Sequence, residues 1–443
     1  MKTFPIGGIH PSDNKIFSKS AAIERFPIPA RVNIPLSQHI GAPAQAVVAV
    51  GDSVLTGQLI AKAGGFVSSN IHSSVTGKVV AISKLPDAQG LPKEMITIET
   101  EPDKWVESID TTSTQVKTIQ LSSADIIAAV AEAGIVGMGG ATFPTQVKLS
   151  VPAGKKAECL ILNGVECEPY LTADYCVMLE RADDLLMGAR ILAKALAVES
   201  IYIGVEANKP DAVSVLTKAA RIYPEIVVMK LQMRYPQGGE KQLIAAVTGR
   251  QVPSGGLPID VGAVVQNVGT ALAVYEAVAK HKPLIERVVT VTGPHLKEPK
   301  NLLVRIGTPI SALVEYCGGM GDAGKVIGGG PMMGRAMSNI DAPVTKGTSG
   351  ILLLPLSESL RGTEDNCIRC GKCVTACPMG LEPYLLGNLS HKKMYAEAEA
   401  HNIIDCIECG CCTFSCPAYR PLLDWLRLGK AEVMRQIKAR SQK

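Results

Sequence analysis

The stretch CIRCGKCVTACP, residues 367–378, decides how the C-terminal part of this chain folds. Its cysteines fit C-x2-C-x2-C-x3-C-P, and CIECGCCTFSCP, residues 406–417, repeats the pattern. Three cysteines at steps of three wrap a tight loop around one side of a [4Fe-4S] cube, with backbone N–H groups pointing at its sulfurs. The fourth lies too far along to close the same loop and serves the other cube. By that crossed rule one cluster takes Cys367, Cys370, Cys373 and Cys416, and the other takes Cys406, Cys409, Cys412 and Cys377. Zinc sites favour two separated C-x2-C pairs instead. Cys411 breaks the period of three and reads as a packed thiol.

The residues between the motifs carry helix-like apolar spacing at Leu381, Leu385 and Leu386, with Ser390 as a candidate N-cap. A last helix, from Pro421 to the end of the chain, places Leu423, Leu426, Val433, Met434 and Ile437 mostly on one face, and its basic tail reads as a solvated face. The expected unit is an α-helical ferredoxin domain.

Outward from this domain, 443 residues are too many for one core and suggest three or four domains. The 45 basic and 41 acidic residues are spread along the chain, which leaves no electrostatic footprint for nucleic acid. Mean hydropathy is +0.19, yet no apolar run reaches the length of a membrane helix. The N-terminus MKTFPIGGIH lacks the apolar centre of an export signal, so the chain is expected in the cytoplasm. Nine of the thirteen cysteines fall between Cys367 and Cys416, which in a reducing compartment means metal ligation and a redox protein.

One-electron clusters cannot take a hydride directly, so a two-electron donor such as NADH requires a flavin. No G-x-G-x-x-G follows a strand, which argues against an ordinary Rossmann dinucleotide fold. Instead AEAGIVGMGGATFPTQVK, residues 131–148, joins a helix to a loop with Gly134, Gly137, Gly139 and Gly140, where backbone amides can approach a phosphate or flavin. ECLILNGVECEPYLTADY, residues 158–175, reads as a buried strand running into a loop with Asn163, Glu166 and Glu168. RYPQGGEKQLI, residues 234–244, and VVQNVGTALAV, residues 264–274, each set Gly, Asn or Thr where a helix begins.

These four stretches, in this order, resemble the flavin- and NADH-binding subunit of respiratory complex I, whose glycine loop is also followed by FPT, as at Phe143–Thr145. Over nearly its full length the chain looks closer still to the RnfC family, the peripheral subunits of the Rnf ferredoxin:NAD oxidoreductases. That resemblance rests on GGIHP at 7–11, PLSQHIGAP at 35–43, HSSVTG at 72–77, NGVECEPY at 163–170, YPQGGE at 235–240 and the paired cysteine motifs. It implies a non-covalent FMN over Gly137, Gly139 and Gly140, with Lys148 near its phosphate and Asn163, Asn267 and Thr270 completing the pocket. It further implies that Glu166 and Glu168 hold the nicotinamide and ribose side of NAD(H), and that Tyr235, Gly238 and Glu240 surround the dinucleotide. A carboxylate at Glu240 would repel a 2′-phosphate and favour NADH. The chain departs from complex I in having Val165 and Gly239 where that family carries acids.

The fold class is therefore multidomain α/β and α+β. Residues 1–112 are an N-terminal barrel-sandwich hybrid like those of biotin and lipoyl carriers, without a lysine at its tip near Gly64–Val67. Residues 113–284 are the complex-I-type FMN/NADH-binding α/β domain, 285–350 a β-grasp domain of SLBB type, and 351–443 the helical ferredoxin domain. IGGGPMMG, residues 327–334, reads as a turn, and His10 and His72 as packing or capping groups. Cys159, Cys176 and Cys317 read as core, while Cys167 neighbours the proposed flavin loop. The resemblance implies a peripheral electron-transfer subunit of a membrane-bound, ion-translocating enzyme, carrying electrons between NAD(H), FMN and two clusters. Its partners would be membrane-embedded and ferredoxin-like Rnf subunits, at the cytoplasmic face of the cell membrane. The alternatives are a corrinoid-reductase type iron–sulfur flavoprotein and a non-catalytic iron–sulfur relay.

Overall fold

The computed structural model describes residues 1–441, so the last two residues of the terminal helix and of the 351–443 domain lie outside the described residues. Four parallel strands, Cys159–Asn163, Ser200–Glu206, Ile226–Leu231 and Ala263–Asn267, form one sheet in the spatial order third, second, first, fourth. Apolar residues alternate between its two covered faces. Leu160, Leu162 and Val264 join the core beneath the helices Ala182–Leu196 and Val268–Lys280, while Ile161, Ala263 and Val265 meet the helix Glu240–Thr248. A parallel sheet buried on both faces is the doubly wound arrangement. The order reverses between Cys159–Asn163 and Ala263–Asn267, whose last residues are register partners, so a crevice opens beyond Asn163 and Asn267. The sheet thus has the strand order of a Rossmann half, and the phosphate-type glycine loop differs only in preceding the first strand.

The N-terminal barrel packs the antiparallel strands Arg31–Pro35, Pro92–Thr100, Gly77–Pro86 and Ser53–Val54 against the short set Gln45–Ala46, Leu59–Lys62 and Ile71–His72. Val32, Ile34, Ile60, Val79 and Ile98 fill it. The β-grasp unit is a six-stranded sheet in the order Ile23–Arg25, Lys300–Arg305, Glu286–Thr292, Gly350–Pro355, Ala323–Gly328, Arg335–Ala336. Two sequence-based domain limits are corrected here. Gly350–Pro355 lies inside this sheet beside Glu286–Thr292, because its apolar run covers the β-grasp core, so a boundary at 350 cuts through a strand. Ile23–Arg25 pairs with Lys300–Arg305 and not with the barrel.

Residues 2–9 leave the barrel too. Lys2 bridges to Leu231, Ile9 pairs with Tyr235, and the Gly8 N–H donates to the Ala376 carbonyl at 2.9 Å. They form a strap between the parallel-sheet domain and the cysteine domain. The latter is helical, with Pro383–His391 packed on Leu422–Ser441. Ser390 sits inside the first of these helices and returns its hydroxyl to the Leu386 carbonyl at 2.7 Å, so it is not an N-cap. The terminal helix buries Leu422, Leu426 and Val433 but leaves Met434 in solvent, which corrects one member of the expected face.

Where the sheet domain meets the β-grasp unit and the strand Ile23–Arg25, Glu286 accepts from Lys282 at 2.7 Å and Arg25 at 2.9 Å and forms an ion pair with Arg305 at 3.2 Å. Burial alone would lift this carboxyl, but the surrounding cations pull it down to about 2. Glu286→Gln leaves those cations without their anion in a buried seam. The substitution is expected to cost about 3 kcal/mol in urea unfolding.

Candidate cofactor and cluster sites

The glycine loop is closed on itself by the Gly137 N–H to the Phe143 carbonyl at 2.9 Å and by a bridge between Val136 and Pro144. It is drawn to the crevice by the Met138 N–H, which donates to Thr270 Oγ1 at 2.9 Å. Asn267 caps the helix Val268–Lys280, its Oδ1 accepting from the N–H of Gly269 and Thr270, and its Nδ2 donates to Asp174 at 2.7 Å. A side chain at Gly139 would lie against Asn267, whereas Gly140, at φ +115°, faces open space. Asn163 donates to the Gly238 carbonyl at 2.8 Å. Gly137, Gly139, Gly140, Asn163, Asn267 and Thr270 are therefore brought together at the switch point. Thr145 Oγ1, Gln146 Oε1 and Gln266 Nε2, from the helix that follows the loop and from the end of the last strand, are buried with no protein partner. A crevice bordered by glycines and unpaired buried polar atoms suits a flavin mononucleotide.

Lys148, expected near the FMN phosphate, and Glu240, expected beside the dinucleotide, form an ion pair at 2.6 Å, and Lys148 also reaches the Val265 carbonyl at 3.1 Å. The other residues expected to hold NAD(H) are differently disposed. Glu166, expected beside nicotinamide, is buried and caps the helix Ala173–Glu180, accepting from the N–H of Asp174 at 2.8 Å and Tyr175 at 3.3 Å. Glu168 accepts from the N–H of Met332 at 3.1 Å and Met333 at 2.7 Å. The glycine-rich turn 327–334 is thus the partner of Glu168. Tyr235 is buried, and its hydroxyl donates to the Cys409 carbonyl at 2.8 Å; Gly238 is packed on Cys167. All four make these contacts within the protein, Glu166 with a helix start eight and nine residues on and the other three with loops distant in sequence. Val165 is core, and Gly239 is the N-cap of Glu240–Thr248.

Sequence reading missed the charges behind these loops. Lys15 and Lys209 lie buried beside Glu166 and Glu206, with Lys209 Nζ on the Val165 carbonyl at 2.7 Å. Asp174 is half-buried and Arg287 buried at the crevice, where desolvation raises the first and lowers the second to about 10. Each is an ordinary charged residue in sequence, with no local pattern to mark it.

The two cysteine loops share one backbone conformation. Arg369 and Gly371 in the first, and Glu408 and Gly410 in the second, all have positive φ, between +56° and +80°. Left-handed residues at matching positions turn successive N–H groups inward, as a cluster cradle needs. The Glu408 N–H already meets Cys406 Sγ, and the Leu381 N–H meets Cys377 Sγ, both at 3.4 Å. Cys377, Cys406, Cys409 and Cys412 line one cavity walled by Leu381, Leu386, Leu423 and Leu426. Cys373 and Cys416 are half-buried neighbours, and Cys367 and Cys370 are exposed. Among the described residues no three His, Cys, Asp or Glu side chains converge on a point suited to one metal ion. Cys411 is fully buried, as a packed thiol should be, and Cys159, Cys176 and Cys317 are buried as well.

A doubly wound sheet with a glycine loop at its switch point, joined to twin cysteine cages, defines an iron–sulfur flavoprotein of the complex-I type. Residues 130–276 match the Nuo51 FMN-binding domain, 2–103 the RnfC barrel sandwich hybrid domain, 288–336 the SLBB domain and 360–417 the 4Fe-4S dicluster domain. The chain is 51% identical to a subunit of the proton-translocating ferredoxin:NAD(+) oxidoreductase complex of Clostridium ljungdahlii, over 96% of this chain and 93% of that protein. It is 46% identical to the corresponding subunit of the Na(+)-translocating ferredoxin:NAD(+) oxidoreductase complex of Acetobacterium woodii, over 97% of each. An NAD+-reducing [NiFe]-hydrogenase chain in the H2-reduced state aligns with a TM-score of 0.48 at 17% identity, over 72% of this chain and 61% of that one, a likeness too loose to add to the assignment. The chain belongs to the RnfC family of the ion-translocating ferredoxin:NAD oxidoreductase complexes. Among the described residues no helix is long and apolar enough to cross a membrane.

Burial pushes the Glu166 carboxyl up to about 7 against the pull of Lys15 and Lys209. A carboxyl raised in the fold above its ordinary 4.5 stabilises below that value, and the contribution is lost as pH rises toward about 7. Urea midpoints should therefore fall between pH 5 and 7 more steeply for the unsubstituted chain than for Glu166→Gln, by an amount on the order of 1–3 kcal/mol. Equal slopes would show that Glu166 titrates normally.

Proposed function

We propose that this chain is the peripheral electron-entry subunit of an ion-translocating ferredoxin:NAD oxidoreductase, holding FMN at the Gly137–Gly140 crevice and two [4Fe-4S] clusters in the crossed cysteine sets. The seam between the crevice domain and the second cysteine loop carries this reading. Tyr235 bonds the Cys409 carbonyl, Gln242 Nε2 donates to the Pro378 carbonyl at 3.3 Å, and the strap bonds Ala376. A side chain at Gly7 would collide with the Cys377 carbonyl. Ile9, Tyr235, Ala376, Cys409 and Cys411 close the seam as one small apolar core.

When bound, the flavin supplies the exchange between paired electrons of NAD(H) and single electrons of the clusters. The protein's own part is position. Thr270 and Asn267 fix the glycine loop, Asn163 fixes the Tyr235–Glu240 turn, and that turn fixes Cys409. The cage of Cys377, Cys406, Cys409 and Cys412 is then the inner station, packed against the sheet domain. The cage of Cys367, Cys370, Cys373 and Cys416 is the outer one, its exposed pair facing the partner that exchanges electrons with this chain. With Glu166 and Glu168 committed to backbone amides, recognition of NAD(H) falls to Glu240, Lys148 and main-chain groups of the rim. The partners are the membrane-embedded and ferredoxin-like subunits of the complex, met at the cytoplasmic face of the membrane.

Anaerobic reconstitution followed by NADH titration, with flavin absorbance and cluster EPR recorded together, tests the reading. NADH should bleach the flavin and bring up both cluster signals. Cys377→Ala should remove the inner cluster although it lies in the first motif, leaving flavin bleaching intact and the outer cluster unreduced by NADH. Cys416→Ala should remove only the outer one. A colourless protein that ignores NADH would instead be a bare iron–sulfur relay.

A further inference from the structure

The hairpin that carries a lysine arm in carrier barrels has a different neighbour here. Its residues 64–72 lie against the glycine loop and the helix that precedes it. Asn70 Nδ2 donates to the Glu132 carbonyl at 3.2 Å, Gln146 Nε2 to the Ser68 carbonyl at 2.8 Å, and the Ile40 N–H to the Thr142 carbonyl at 3.3 Å. From the opposite side comes the β-grasp loop 345–348, whose Gly347 faces Thr142. Lys346 in that loop is 1% exposed, and among the described residues its ammonium touches no carboxylate. It donates to the Gly134 carbonyl at 2.7 Å and the Asn70 carbonyl at 2.7 Å, with Ser69 Oγ at 3.5 Å. Arg287, also of the β-grasp domain, donates to the Lys346 carbonyl and to Met138 at 3.4 Å.

A buried ammonium without a counter-ion is costly, and three oxygens of two other domains compensate it. Desolvation lowers Lys346 to about 7, in keeping with that cost. The acceptors are the carbonyl that opens the glycine loop and the hairpin of the barrel, so one side chain joins three domains at a loop which has no regular secondary structure.

We infer that Lys346 and the barrel hairpin are a clamp that positions the glycine loop for its flavin, the barrel being a fixed wall of the site and not a docking arm. The inference rests on the flavin reading for its purpose, while the clamp itself is independent of it. Lys346 is a positioning residue.

The test uses the full chain with reconstituted clusters, comparing Lys346→Met and Asn70→Ala with the unsubstituted protein. Amide hydrogen exchange should quicken at residues 134–143 and 64–72 in both variants, more in the first, while exchange in the cysteine domain and cluster EPR stay unchanged. FMN fluorescence titration should show the dissociation constant raised about tenfold or more by Lys346→Met, as expected for loss of a buried charged hydrogen bond. Unchanged exchange at 134–143 in the folded variants overturns the clamp. Should Lys346→Met fail to fold, Asn70→Ala decides by the same exchange criterion. Quickened exchange in a chain whose unsubstituted form binds no FMN upholds the clamp and sinks the flavin reading instead, so the two fail separately.

Discussion

The hydrogen bond from the Tyr235 hydroxyl to the Cys409 carbonyl joins the C-terminal edge of the parallel sheet to a loop that presents cluster ligands. Electron exchange between two centres weakens steeply with distance, and under the function proposed above the contacts around this bond keep the two domains close. A strap from the N-terminus threads between the two surfaces, with glycine where the Cys377 carbonyl leaves no room for a side chain. Gln242 reaches the Pro378 carbonyl from a helix of the sheet domain. The proline that ends the first cysteine motif is therefore more than a stop signal, since its carbonyl anchors the neighbouring domain.

Behind the seam, ionic groups are arranged by the same need. Lys15, Lys209, Glu166 and Glu206 lie together under the loops that leave the sheet, where removing one partner would strand another in a low-dielectric interior. Such networks contribute little net stability but fix one geometry out of many. Glu168 acts in this way between Met332 and Met333, so the β-grasp turn, the sheet domain and the cysteine domain share one rigid corner. Arg427 adds a contact from the terminal helix to the Met333 carbonyl at 2.9 Å.

The dicluster domain was legible in the sequence because a cluster imposes its own spacing on the chain that wraps it, and the twin positive-φ positions are the backbone expression of that spacing. The glycine loop, Asn163 and Asn267 were legible because strand ends and helix starts have local signatures. The backbone partners of Glu166 and Glu168 were not legible, because a carboxylate in a loop looks the same whether it meets a ligand or backbone N–H groups, and for Glu168 those groups, of Met332 and Met333, lie far along the chain. The strand Ile23–Arg25 is three residues long and draws its pairing from a partner nearly three hundred positions away, beyond the reach of periodicity. Lys346 was silent for the same reason: its burial is decided by three domains at once.

The unequal accessibility of the two cages bears on how the holoprotein is built. Cys377 and Cys409 are buried against the strap and the sheet domain and Cys412 among the helices of its own domain, while Cys367 and Cys370 stand open. In the folded chain the open pair is within reach of a thiol reagent or a delivery protein, whereas the buried three lie behind packed side chains.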